Sequence, residues 1–587
     1  MSSEVRIYFE CLEQAEHFIY PIVHKAIKSL GVPAKVKLVR MKKSNRAYSR
    51  NIAPILFWKV PDILLTIIQE GVEYPLLLVE FSNAVFTEDH ELQRFDGLVA
   101  AANNQCLYAK ISPSSKESIS NHGGNIDFDY AGPFSLIKTK YNRVFFHFDW
   151  PCDSSGFVEV EADYLSCPKV IPEFEFLIQQ LLAIVVPTGI SSEWTDKLTK
   201  KLCSTKFFSD WMNRLDNFQQ PNVTTLDTSR TTWIRKDVTL NREVLELKLN
   251  RFGHAMDPER GMLAYYGTMG IPIVSKMMFS LHNDAWFKGI SKESELRNHV
   301  KKSRLKSAFD YLYGFALGSA LCTNDQFMKI VESFKTMNRE QIVADISPFV
   351  QKNYLNMSKP IRTILKYSEL FVIEDSQGFR RVILKWKSID ETGLFSLYPT
   401  ATKIAVRTSL GEDDVTHITI HNVMRTSGYK ILAASYPGAQ ADRVILVAPG
   451  TGRKQTRKYV DVIAYLPPRI TTIQENKGQF SLSGVQSDIE QVCKFKNDKK
   501  YKEALKEFQL RMLGPNLQPE TITGVGFWAS KSFNISKIKE LKIELIDYFL
   551  YISKDMKTWQ IWTSCSAELF HKKKGYVTLP AYFEISA

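Results

Sequence analysis

Apolar and polar positions change their period several times along the chain, and those changes predict its elements. Residues 10–30 carry apolar side chains at helical spacing and stop at Gly31. A β-branched run at 36–39, a strand-like stretch at 55–68 and a dense apolar strand at 74–81 follow. Residues 88–102 return to helical spacing, with acids in the first turn, and 106–111 read as one more strand. The predicted order over 1–112 is αβββαβ. Ser, Gly and Asn clusters fill much of 113–165 ahead of aromatic-rich strands near 144–150. The stretch 170–345 reads as mainly helical, over 172–186, 193–215, 241–252, 296–318 and 323–338. A hairpin is expected at 370–386, turning at Ser376, Gln377 and Gly378. Strands are expected at 415–420, 443–447, 459–466 and 470–474, then a charged helical region at 485–513, then strands at 523–529, 548–553 and 559–563. The expected class is α/β (α+β): an αβ domain at 1–165, a mainly helical domain at 166–400, and a second αβ domain at 401–587.

Length agrees with several units, because 587 residues exceed the roughly 100–200 of one domain. Hydrophobic residues are 44% and charged residues 24%, which excludes a mostly disordered chain. The longest apolar runs, 74–79 and 181–186, fall far below the ~20 residues that cross a bilayer. Residues 1–10 lack the basic-then-apolar pattern of a signal peptide. The 8 cysteines are scattered without a CxxC pair, so free thiols in a reducing cytoplasm are expected rather than zinc. The formal charge of +13 suits a polyanionic partner but selects no chemistry.

Chemistry concentrates in residues 459–478, YVDVIAYLPPRITTIQENKG. Asp461 sits in one strand, Pro467, Pro468 and Arg469 make a turn, and a second strand presents Glu475 and Lys477. Alternation along a strand projects Glu475 and Lys477 together and turns Asn476 away. If the strands pair as a hairpin, Asp461 comes to the same edge. Two carboxylates and the Asn476 carbonyl form a hard oxygen site suited to Mg²⁺, with Mn²⁺ as a substitute. A lysine beside it aligns a water and offsets phosphate charge.

Asp461 with Glu475-Asn476-Lys477 resembles the PD-(D/E)XK nuclease superfamily, which includes most type II restriction endonucleases; Val460 replaces the usual proline. A second stretch, Pro61-Asp62 with Glu80-Phe81-Ser82, resembles the same superfamily, and αβββαβ is its core order. Ser82 replaces the lysine there, and the resemblance makes Lys110 on the following strand a candidate for the missing ammonium, the other reading being an ordinary strand-end lysine. Glu10 and Glu13 on the first helix are candidates for a further carboxylate, the other reading being a solvated helix face. Gln93 and Arg94 are candidate phosphate contacts beside Glu80, and Arg453, Lys454, Arg457 and Lys458 are candidates beside Asp461.

The glycines of 448–454 lack phosphate-loop spacing, and GxSxG, HExxH and deaminase signatures are missing. Residues 254–261 read as a structural corner. The resemblance therefore implies a Mg²⁺-dependent endonuclease acting on double-stranded DNA, with restriction-endonuclease-like cores and one or two sites per chain. No NPPY or DPPY tetrapeptide occurs, so a separate methyltransferase is the expected companion, and a homodimer is a further expectation. The alternatives are a transposon-end, defence or repair nuclease of the same superfamily, and a non-enzymatic DNA-binding protein on degenerate nuclease folds.

Overall fold

The computed structural model describes residues 3–41, 48–82, 94–113, 129–152, 158–161, 164–218, 234–237, 244–249, 256–279, 340–357, 359–375, 380–389, 391, 393, 395, 409–435, 445–448, 456–517, 519–530, 533–563, 569–570 and 573–577. The fold is mixed α/β, of the α+β kind, with three large mixed sheets. None of the described helices is long and apolar enough to cross a membrane.

The first sheet begins with β1 (Ser3–Phe9), which the sequence reading missed. A helical segment opens with a π turn at Gln14–Ile19 and continues as α1 (Tyr20–Leu30). Ile22, Val23, Ala26 and Ile27 form its buried stripe, and Gly31 at φ 63° caps it in the left-handed region. Next come β2 (Ala34–Arg40), α2 (Ala53–Trp58), β3 (Ile63–Gln69) and β4 (Val72–Phe81). The expected strand over 55–68 is thus a helix and then a strand. Glu70 and Gly71 both take positive φ between β3 and β4, as a two-residue hairpin turn demands. Next are α3 (Phe95–Asn103), β5 (Leu107–Ser112), α4 (Ala131–Tyr141) and β6 (Phe146–Asp149), followed by the separate short pair β7 (Val160–Glu161) and β8 (Tyr164–Pro168). Leu76, Leu77, Leu78 and Val79 are all buried, because β4 is central and covered on both faces. The sheet order is β2-β1-β3-β4-β5-β6.

The middle, expected as mainly helical, also contains a sheet. The region does begin with helices, namely α5 (Pro172–Thr188), α6 (Trp194–Leu202) and α7 (Lys206–Asp216). A six-stranded sheet then follows, built from β9 (Ile234–Asp237), β10 (Val244–Leu249), β11 (Ile273–Phe279), β12 (Glu340–Asp345), β13 (Leu370–Asp375) and β14 (Arg380–Lys385). Residues 244–249, expected as helix, pair as strand between β9 and β11. Helices α8 (Met256–Thr268) and α9 (Lys359–Tyr367) of this region pack against each other. The helices expected at 296–318 and 323–338 lie outside the described residues. The middle shares one apolar core with the first sheet.

The last region opens with α10 (Glu412–Ile418), continued by a π turn at Thr419–Met424. The expected strand at 415–420 is therefore helix: Gly411 and Asp414 cap its start, and Val415 and Ile418 pack inward. The strands are β15 (Lys430–Ala434), β16 (Ile445–Ala448), β17 (Thr456–Tyr459), β18 (Val462–Leu466) and β19 (Ile470–Lys477). Helices α11 (Leu482–Val492), α12 (Lys494–Asn497) and α13 (Lys499–Leu513) lead to β20 (Glu520–Trp528), β21 (Tyr548–Ile552), β22 (Thr558–Thr563) and β23 (Lys574–Tyr576).

The two end sheets repeat one arrangement. In the first, β1-β3-β4-β5-β6 pair antiparallel, antiparallel, parallel and parallel. In the last, β15-β18-β19-β20-β21 pair in the same sequence. They differ in connection, since β1 precedes its helix whereas β15 follows α10.

Their helices meet at a polar seam. Glu13 accepts hydrogen bonds from the Ser166 amide (2.9 Å) and hydroxyl (2.6 Å) and lies 3.0 Å from His421 Nε2. The rings of Tyr164, His17, His421 and His417 stack successively, at centroid separations of 3.9, 5.4 and 4.2 Å. Arg40 reaches across to Asp413 and Asp414 at 3.6 and 3.5 Å.

Candidate functional site

Asp461 stands immediately before β18, and pairing with β19 carries it to Glu475 across the hairpin. Its Oδ2 accepts the Asn476 backbone N–H at 2.7 Å. Alternation along β19 then separates two faces. Glu475 and Lys477 turn towards α11, where Gln491 Nε2 donates to Glu475 Oε1 (2.5 Å) and Asp488 Oδ1 lies 3.3 Å from Lys477 Nζ. Asn476 turns the other way and donates from Nδ2 to Thr416 Oγ1 on α10 (2.9 Å). Gln474 braces that face, donating to Asn476 Oδ1 and Thr419 Oγ1 and accepting from the Tyr548 hydroxyl. Glu412, at the start of α10, lies 3.7 Å from Lys477.

The C-terminal site is electrostatically acidic. Burial, then the adjoining Glu475, holds the Asp461 carboxyl well above its ordinary range. Burial raises Asp488 to about 6, against the opposing pull of Lys477. Burial lowers the Lys477 ammonium's pKa, but Asp488 and Glu412 outweigh it, and the lysine stays firmly protonated.

The first sheet repeats the same clamp. Asp62 stands immediately before β3, and its Oδ2 accepts the Phe81 N–H at 2.7 Å. Phe81 follows Glu80 just as Asn476 follows Glu475. Glu80 turns towards α3, as Glu475 turns towards α11. Its Oε2 lies 3.7 Å from Lys59 Nζ and 3.6 Å from Arg94 Nε. Its buried Oε1 has no hydrogen-bond partner among the described residues. A Cβ at Gly97 would lie 3.2 Å from that oxygen and 3.1 Å from Lys59 Cγ, so glycine lets α3 close over both side chains. Burial raises Glu80 to about 7 despite Lys59, with Asp62 adding to the rise.

Lys110 lies beside Glu80 in the β4–β5 register, fully buried, and its Nζ donates to Ser82 Oγ at 2.5 Å. Val525 occupies the corresponding register position beside Glu475. The ammonium absent at Ser82 is therefore present one strand away. Glu10 joins this edge: its N–H donates to the Asp62 carbonyl (3.0 Å), and burial followed by Asp62 raises its carboxyl. Glu13, the other carboxylate considered, belongs to the seam.

Gln93, Arg453 and Lys454 lie outside the described residues; Arg457 and Lys458 are in β17. Arg94 contacts Glu80. The sequence reading missed Glu412, Asp488, Gln491 and Lys59. Asp488 and Gln491 carried a usable signal, since their i, i+3 spacing on a helix just after Lys477 puts both on one face. Lys59 carried none.

Among the described residues, no group of three or more His, Cys, Asp or Glu side chains is arranged by itself around an ion. The donors fit a divalent ion of the Mg²⁺ type nonetheless. Such ions commonly take one or two carboxylates and keep several waters, and the Asp461–Glu475 pair carries charge that a cation would relieve. Compared with protein-family models, curated proteins and solved structures, the chain matches none of them.

Proposed function

We propose that this chain is a Mg²⁺-dependent DNA endonuclease of the PD-(D/E)XK kind, resembling a type II restriction endonuclease. One observation carries the reading. In both end sheets, an aspartate before one strand accepts the amide that follows a glutamate on the next strand. A chance match of D and ExK would not repeat that clamp within the same five-strand order. Within the large sheet, the order helix, β15-β18-β19, helices, parallel β20 over 412–528 supports restriction-endonuclease-like architecture, with the β16-β17 pair inserted between β15 and β18.

Asp461 and Glu475 would hold the ion, with the Asn476 carbonyl beside them; Asp62 and Glu80 are the corresponding pair in the first sheet. The bound ion supplies Lewis-acid polarisation of a phosphate oxygen and a more acidic water. Lys477 orients the attacking water and offsets charge on the phosphate. Asp488 and Glu412 keep that lysine protonated and placed. Gln491 fixes the Glu475 carboxylate, and Lys110 would serve at Ser82 in the first sheet. Double-stranded DNA is the proposed substrate, with a separate methyltransferase as companion and a homodimer as the assembly for paired cuts. A second reading, a DNA-binding role on a decayed nuclease fold, is favoured for the first sheet alone, where Lys59 and Arg94 contact the carboxylate.

The test is incubation with phage DNA and Mg²⁺, comparing wild type with Asp62→Ala and Asp461→Ala. Discrete fragments support restriction, and a smear indicates a general, defence or repair nuclease. Binding without cleavage would refute the enzyme reading.

A further inference from the structure

Basic side chains gather where α2 and α3 of the first region meet α8 and α9 of the middle. Lys59 follows α2 and Arg260 lies on α8. Lys359 and Arg362 stand at i and i+3 on α9, which puts them on one face of that helix. Helix α8 packs against both α3 and α9. The Arg362 guanidinium lies 3.6 Å from the Phe57 ring centroid and donates to the Phe57 carbonyl at 2.6 Å, which ties α9 to α2. Asp96 of α3 faces most of this cluster. Arg260 Nε lies 3.1 Å from its Oδ2, and it attracts Lys59 and Lys359 as well. Lys59 also reaches Glu80 at 3.7 Å. The balance around Lys359 is positive. Burial lowers its ammonium to about 8; Asp96 opposes that shift, and Lys59, Arg260 and Arg362 add to it. Burial likewise lowers Arg362 to about 10, with Tyr354 and Glu391 opposing and Arg260 adding. Arg362 Nε is buried and has no hydrogen-bond partner among the described residues. Bases brought this close in a partly dry setting favour an anion beyond the one carboxylate that α3 supplies.

We propose that Lys59, Arg260, Lys359 and Arg362 form a seat for a phosphate group between the first region and the middle. A phosphate brings negative charge and several acceptor oxygens together, which suits a cluster of ammonium and guanidinium donors. Chloride would answer the charge but not the planar donor forks of two arginines. Lys59, Arg260 and Lys359 each keep part of the side chain in solvent, so an anion reaches them without opening the core. Once filled, the seat would fasten the middle to the first region, since its bases come from both. The inference rests on the nuclease reading only for DNA as the source of the phosphate.

The full-length chain, in chelator and without divalent ion, is treated with trace acetic anhydride over a pH series. Acetylation of Lys359 is read by peptide mass spectrometry against the exposed Lys499. Inorganic phosphate and a short DNA duplex are the two probes, each compared with sodium chloride at equal ionic strength. Phosphate should raise the Lys359 ionisation by about one pH unit, which leaves its free amine roughly 10-fold scarcer at pH 7, with Lys499 unchanged. Protection by the duplex assigns the seat to a backbone phosphate of DNA; protection by inorganic phosphate alone assigns it to a free phosphate ligand. Arg260→Gln should weaken the protection. In thermal melts, Lys359→Arg should keep the rise in Tm that phosphate gives the wild type, and Lys359→Gln should lose it. No protection of Lys359 by either probe, or an equal rise in Tm in Lys359→Gln, would overturn the seat while leaving the nuclease reading to its cleavage assay. Failure of that assay would leave protection by inorganic phosphate unaffected.

Discussion

Replacing Asp461 by Asn should make the metal-free protein more stable while abolishing cleavage. Asp461 and Glu475 are neighbouring carboxyls in a buried pocket, and Asp461 is held well above its ordinary range by burial and by Glu475. Two like charges ~4 Å apart at an effective dielectric of ~20 repel by about 4 kcal/mol. The fold limits that cost by keeping a proton on the pair, which itself costs about 1.4 kcal/mol per pH unit above the unfolded value. Asparagine removes the charge yet still offers an oxygen to the Asn476 N–H. After the burial cost of the new amide, a gain of about 2 kcal/mol is expected, or several degrees in Tm for a domain of this size. The pH dependence has a definite sign. A carboxyl raised in the folded state favours folding in acid, where it is protonated throughout, and loses that contribution as pH rises past the ordinary carboxyl range. The advantage of the Asn variant should therefore be smallest below about pH 4 and grow towards pH 8. Thermal melts in chelator at several pH values, repeated with Mg²⁺, measure this; Mg²⁺ should narrow the gap by stabilising the wild type selectively. An Asn variant less stable than wild type at pH 8 in chelator, or an equal gap at all pH values, would refute the reasoning.

Lys477→Ala should lower cleavage by at least ~100-fold with little change in Tm, read by a plasmid assay beside a melt, because the half-buried lysine contributes charge rather than core packing. Glu13→Gln should weaken the seam by about 1–3 kcal/mol, read by urea unfolding, since one buried carboxylate serves Ser166 and His421 together. Gly526→Ala should destabilise by about 1–3 kcal/mol and reduce activity. Its Cβ would overlap the Asn476 amide oxygen and press on Gln474, tilting the strand that carries Glu475. Ser82→Ala should cost stability modestly by removing one hydrogen-bond partner of the buried Lys110 ammonium, measurable by chemical denaturation.

Local sequence determined what depends on neighbouring residues. The two-residue period of β19 separated Glu475 and Lys477 from Asn476, and the structure places their partners on α11 and α10 respectively. Helical spacing located α1, α5 and α13, and turn residues located the hairpin between β18 and β19. Long-range packing decided the rest. Residues 415–420 have β-branched composition but lie in a helix, because a capped start and an inward apolar face outweigh propensity. Residues 244–249 became a strand because β9 and β11 offered their edges. Glu10 and Glu13 are three residues apart on paper, yet one reaches Asp62 and the other the seam. Nothing near Glu80 in sequence announces Lys59, and nothing in the spacing of Lys110 establishes its contact with Ser82. Periodicity reports which face a side chain occupies, whereas the charge it meets there is set by chain segments that only folding brings together.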